Sequence, residues 1–168
     1  MKKKTKMIFL KLSFLIFIIY FSISLIVFIY QRNLLYHPGE NNYLDEGHLN
    51  HKIEKVNIKS EQSLVGWYYK KNKDFQTILF FHGNAGRLDN RIYKLNELAK
   101  LNINYLIIAY RGFSGNEGNP SEKGLYEDAL AAKEWLNLNN IIDEKIILYG
   151  ESLGTAVAVN LAKDNNFS

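Results

Sequence analysis

From Leu12 to Tyr30 the chain reads LSFLIFIIYFSISLIVFIY, without one charged side chain. No other feature narrows the folding options as much. A helix of that length spans roughly 28 Å, at about 1.5 Å per residue, close to the hydrocarbon thickness of a bilayer. A core helix would keep a polar stripe, whereas here both faces are equally apolar. A cleaved signal peptide would have a shorter apolar stretch, of about 7–15 residues, ending in small residues. This run ends in Phe28-Ile29-Tyr30-Gln31-Arg32 instead. The sequence therefore predicts one transmembrane anchor over 12–30, with the lipid bilayer as its partner.

Charge sets the expected orientation. The formal net charge is +4. Lys2, Lys3, Lys4, Lys6 and Lys11 supply +5 of it, and +4 less +5 leaves −1 for everything after Lys11. A basic tail of residues 1–11 is held on the cytoplasmic side by the positive-inside rule, so the remainder faces the opposite side. A nucleic-acid binder would carry its positive charge on the folded part, and that class is set aside. With no cysteine in the chain, disulfides, thiolate chemistry and cysteine-based metal sites are excluded.

Residues 31–51 read as a linker, with Pro38-Gly39, Asn41-Asn42 and Gly47 as turn formers. From 52 to 168 the pattern is that of an α/β domain. Residues 52–59 and 64–69 predict two strands joined by a turn at Ser60-Glu61-Gln62-Ser63. Thr77–Phe81, Tyr105–Tyr110 and Lys145–Tyr149 are continuous apolar runs, as in strands covered on both faces. Between and after them, residues 88–101, 120–139 and 153–163 carry apolar side chains at helical spacing. Asn119 is the expected cap of the second helix, with Pro120 in its first turn. Strand and helix in alternation predict a parallel sheet with right-handed crossovers, beside an antiparallel opening hairpin.

Two segments point to chemistry. Gly150-Glu151-Ser152-Leu153-Gly154 lies between a buried strand and a helix, the setting a G-x-S-x-G nucleophile elbow requires. A sharp turn there exposes the Ser152 hydroxyl as the expected nucleophile. The helix start behind it favours developing negative charge. His82-Gly83-Asn84-Ala85-Gly86 follows the first buried strand. Alone it could be an ordinary strand-to-helix turn; with the elbow present it becomes an oxyanion loop. Asn84 is then the expected backbone donor, with Ala85 close behind and the N–H of Leu153 as its counterpart. His82 and Gly83 stand beside the substrate path, His82 as a strand-end side chain rather than a base.

These runs, with Tyr110-Arg111-Gly112-Phe113-Ser114-Gly115 and Pro120-Ser121-Glu122-Lys123-Gly124-Leu125-Tyr126-Glu127-Asp128-Ala129, resemble the Bem46-type α/β-hydrolases, a family with membrane-anchored abhydrolase-domain members. One departure is Ala109, where relatives often carry an acidic residue. The resemblance implies a serine hydrolase that cleaves esters, thioesters or amides through an acyl-enzyme, with no metal or organic cofactor. It also implies a triad acid and base after the elbow. The sixteen residues after Ser152 contain Asp164 but no histidine, and His37, His48, His51 and His82 all precede it. The expectation is the N-terminal portion of an α/β-hydrolase fold, C-terminally truncated, completed by a separate C-terminal fragment or continuation. The alternative is an inactive membrane-anchored remnant or a binding protein. Asp128 and Glu127 are expected on a solvated helix face, and His37, His48 and His51 at the surface.

Overall fold

Two strands without a single exposed residue form the centre of the protein: Thr77–Phe81 (β4) and Asn104–Ile108 (β6). Their near-continuous apolar sequence leaves them no face for water, so each must be covered on both sides. In this computed structural model, which describes residues 3–39, 47–163 and 167, they pair in parallel, Thr77 opposite Asn104 and Phe81 opposite Ile108. The Asn41-Asn42 turn and Asp164 lie outside the described residues.

The described residues form two units, one ending at Leu35 and one beginning at Tyr36. The first is a single helix, α1 (Lys3–Leu35), with no buried residue. Among the described residues it alone is long and apolar enough to cross a membrane, which fits a single-pass membrane protein. It extends beyond the apolar run at both ends. Nothing in Gln31-Arg32-Asn33-Leu34-Leu35 breaks a helix, and Pro38 is the first residue that does. The segment expected as a plain linker is thus helix to Leu35, then a short strand, β1 (His37–Pro38).

In the second unit, β2 (Glu54–Lys59) and β3 (Ser63–Tyr69) form the expected antiparallel hairpin, with only Val56 and Ile58 of β2 buried. A two-residue strand, β5 (Ala85–Gly86), pairs in parallel with β1. The last strand is β7 (Ile146–Gly150). The main sheet runs β2-β3-β6-β4-β7. The chain therefore leaves β4, moves one way to β6, then crosses back over β4 to reach β7. Right-handed crossovers in opposite directions put their helices on opposite faces. One crossover carries α2 (Ile92–Leu98), the other α3 (Glu122–Leu138). The final helix, α4 (Leu153–Ala162), packs against α3.

Three local details differ from the sequence expectation. The helix expected over 88–101 begins as a 3-10 turn, Leu88–Arg91, and α2 ends at Leu98. Lys71 closes its end by donating from Nζ to the carbonyls of Ala99 and Leu101. The cap of α3 is Ser121, not Asn119: its hydroxyl accepts the Gly124 N–H at 3.1 Å, which leaves Pro120 outside the helix. Asp128 does not face solvent. It is fully buried and accepts from the Arg111 backbone N–H at 2.8 Å, Nε at 3.0 Å and Nη2 at 2.8 Å.

Candidate active site

The carboxyl ends of β4 and β7 lie side by side, with Phe81 opposite Gly150. Their following helices depart to opposite faces of the sheet, which makes this its topological switch point. In open α/β sheets this switch point is where ligands bind. Both chemistry-bearing segments of the sequence meet at it.

Ser152 is exposed on the turn from β7 into α4. Its backbone sits at φ 52° and ψ −115°, a region that side-chain-bearing residues avoid. The strain is held in place by close packing on both sides. A Cβ on Gly154 would collide with the carbonyl of Phe81, and one on Gly150 would collide with the backbone of Gly154 and Thr155. Only glycine lets α4 approach β4 this closely. Glu151 N–H donates to the Phe81 carbonyl at 2.9 Å, tying the turn to β4. Ser152 stands at the N-cap of α4, yet its hydroxyl makes no capping bond. The N–H of Leu153, first residue of α4, belongs to the turn that lacks intrahelical acceptors.

The loop after β4 faces the elbow through Gly83. A Cβ built there would lie 3.5 Å from Ser152 Cβ and 3.4 Å from the Glu151 carbonyl. His82 turns the other way. Its ring is 2% exposed and packs against Tyr110 and Phe113, with centroids 4.4 Å and 5.1 Å away. Nδ1–H donates to the Gly83 carbonyl at 2.7 Å, while Nε2 is buried without a partner. Burial is the main cause that pulls the His82 pKa down to about 4, so the ring is neutral at pH 7. His82 thus acts on the loop from within and presents no surface to a substrate.

Charge gathers behind the elbow as well. Glu151 pairs with Lys94 at 3.0 Å and with Arg91 Nε at 3.5 Å. Against the burial that would lower it, the Glu151 carboxylate raises the pKa of Lys94. Arg91 Nη2 also donates to the Ala85 carbonyl at 2.9 Å, so one guanidinium touches both the loop and the elbow residue. Nothing in the sequence pattern marks this cluster, because Arg91 and Lys94 reach Glu151 from α2 and the turn before it. The candidate residues Ser152, Leu153, Gly83 and the loop carrying Asn84 are brought together. The other histidines are not: His51 accepts from or donates to Tyr105 Oη at 2.5 Å and packs on Tyr69, half-buried rather than at the surface. His37 and His48 are exposed. Among the described residues no three histidine or carboxylate side chains could hold a metal ion together.

A parallel core with a serine elbow at its switch point makes this an α/β-hydrolase fold. No protein-family model matches the chain. It is similar to the protein bem46 of Schizosaccharomyces pombe, 31% identical over 148 residues, which cover 81% of this chain and 50% of that protein. It is also similar to the lysophosphatidylserine lipase ABHD12 of Danio rerio, 37% identical over 100 residues, 58% of this chain and 26% of that protein. Among solved structures it resembles an α/β-hydrolase from Vibrio vulnificus, with a TM-score of 0.59 and 34% identity over 68% of this chain and 40% of that one. Its relatives and its fold fit the Bem46-type α/β-hydrolases. It spans about half the length of the first curated relatives it matches.

Proposed function

We propose that this chain carries the nucleophile and the oxyanion-binding half of a membrane-anchored serine hydrolase. The observation that supports this most is the strained, exposed Ser152 at the switch point with Gly83 against it. Ser152 Oγ attacks an ester, thioester or amide carbonyl. The backbone N–H groups of Asn84 and Leu153 take the charge on the carbonyl oxygen. The leaving group departs, and water releases the acyl group from Ser152. In this fold the triad base follows the nucleophile in the chain, and the residues given after Ser152 hold Asp164 but no histidine.

The anchor over 12–30 holds residues 1–11 in the cytoplasm and the hydrolase portion, 52–168, on the opposite side, with 31–51 between them. A site tethered to a membrane favours acyl esters or lipidated substrates, in keeping with the lipase named among the relatives. A fluorophosphonate probe applied to the whole gene product tests the mechanism: it labels Ser152, and Ser152→Ala abolishes labelling. Absence of labelling on the folded wild type overturns it. The 168-residue chain alone hydrolyses esters near background, since removing the base leaves only the oxyanion site and binding.

A further inference from the structure

The motif Tyr36-His37-Pro38-Gly39 directly follows α1 in the chain, and its position relative to the loop after β4 gives it a role. Four consecutive carbonyls of that loop each accept a hydrogen bond from outside it or from its base. The Gly83 carbonyl accepts from His82 Nδ1–H. The Asn84 carbonyl accepts from the His37 backbone N–H at 2.8 Å. The Ala85 carbonyl accepts from Arg91, and the Gly86 carbonyl from the Gly39 N–H at 3.2 Å. Two of the four donors are therefore backbone groups of one short segment.

A trans peptide is planar, with its C=O and N–H pointing opposite ways. Holding a carbonyl thus aims the N–H of the next residue. The His37 bond fixes the Asn84–Ala85 plane, and with it the direction of the Ala85 N–H. The His82 bond does the same for the Asn84 N–H. The β1–β5 pairing then sets the far end of the loop, with His37 opposite Ala85 and Pro38 opposite Gly86. Tyr36 is buried, which seats the segment, while His37 and Pro38 side chains are exposed. The contribution of His37 to the loop is its backbone, not its imidazole.

We propose that the segment Tyr36–Gly39 is a positioning element of the oxyanion loop: the His37 N–H holds the Asn84 carbonyl and so fixes the peptide plane after Asn84, while the His82 bond to the Gly83 carbonyl fixes the plane before it, which carries the Asn84 N–H. It rests on the serine hydrolase reading for its catalytic consequence but not for its structural one. Continuity between the juxtamembrane segment and the loop makes the site dependent on residues that the sequence presents as mere spacer.

Two substitutions separate backbone from side chain in the whole gene product in detergent. His37→Ala keeps the N–H; His37→Pro removes it. The expected result is that H37P lowers kcat for a p-nitrophenyl acyl ester by roughly 10- to 100-fold with KM little changed. H37A stays near wild type. Hydrogen exchange supplies the structural readout: in H37P the amides of residues 84–86 exchange faster, while those of β4 and β6 keep their protection and report an intact fold. Equal loop protection in H37P and wild type overturns the proposal. So does an equal loss of kcat in H37A and H37P, which would place the effect in the side chain. If wild-type Ser152 neither turns over ester nor reacts with fluorophosphonate, the hydrolase reading fails, and exchange at residues 84–86 still decides the clasp.

Discussion

Two turns at the carboxyl end of the same sheet are built in opposite ways. After β6, Arg111 is surrounded: besides its three bonds to Asp128, Nη1 donates to Glu61 at 2.9 Å and Nη2 lies 3.1 Å from Glu127. Asn116 closes the same loop by accepting the Val65 N–H and donating to the Ala109 carbonyl. After β7, the elbow leaves its serine exposed, strained and without a capping bond. The first turn satisfies its polar groups and holds the loop still. The second keeps a polar group uncommitted, at the expense of backbone comfort, which packing around Gly150 and Gly154 enforces. A loop of the first kind is scaffold; a loop of the second kind is equipped for chemistry.

Breaking the scaffold turn has the largest effect. Asp128→Ala leaves the Arg111 guanidinium, 7% exposed, without its main partner, and we expect a loss of about 3–5 kcal/mol in urea unfolding. Replacing Arg111 and Asp128 together with apolar residues costs less than Asp128→Ala alone, and a larger loss in the double variant would refute the account.

Acid should weaken the elbow side next. The folded His82 pKa is lowered to about 4 by burial, against an ordinary 6.5. The unfolded chain therefore takes up a proton that the folded chain refuses. Stability is full above pH 6.5 and falls as the pH drops toward 4, by about 3 kcal/mol in all. Denaturation at pH 7 and pH 4.5 measures this, and His82→Asn should flatten the difference.

Gly154→Ala comes third. Its methyl meets the Phe81 carbonyl, and we expect a cost of about 1–3 kcal/mol together with loss of Ser152 labelling. The smallest effect has the opposite sign. Ser152→Gly relieves the strained φ and should stabilise the protein by about 1 kcal/mol while abolishing labelling. A destabilised Ser152→Gly would mean that the elbow holds no strain.

The two turns also differ in how far the sequence discloses them. The elbow is local: five consecutive residues between strand and helix state its shape and the place of its serine. The Arg111–Asp128 pair joins residues seventeen apart, and helical periodicity alone assigns Asp128 to either face. The same holds for Glu151, whose partners Arg91 and Lys94 lie far back in the chain. Pro38-Gly39 reads as a turn in a linker, since nothing near it in sequence shows the loop with which His37 and Pro38 pair.

Periodicity and turn chemistry, which act over a few residues, were enough to set the long apolar helix, the alternation of strand and helix, and the serine at its elbow. Strand order, the buried ion pair, the inward face of His82 and the clasp on the Asn84 carbonyl were decided only in the folded chain. Each depends on segments that meet through the sheet, where burial raises the cost of an unpaired polar group and so selects its partner.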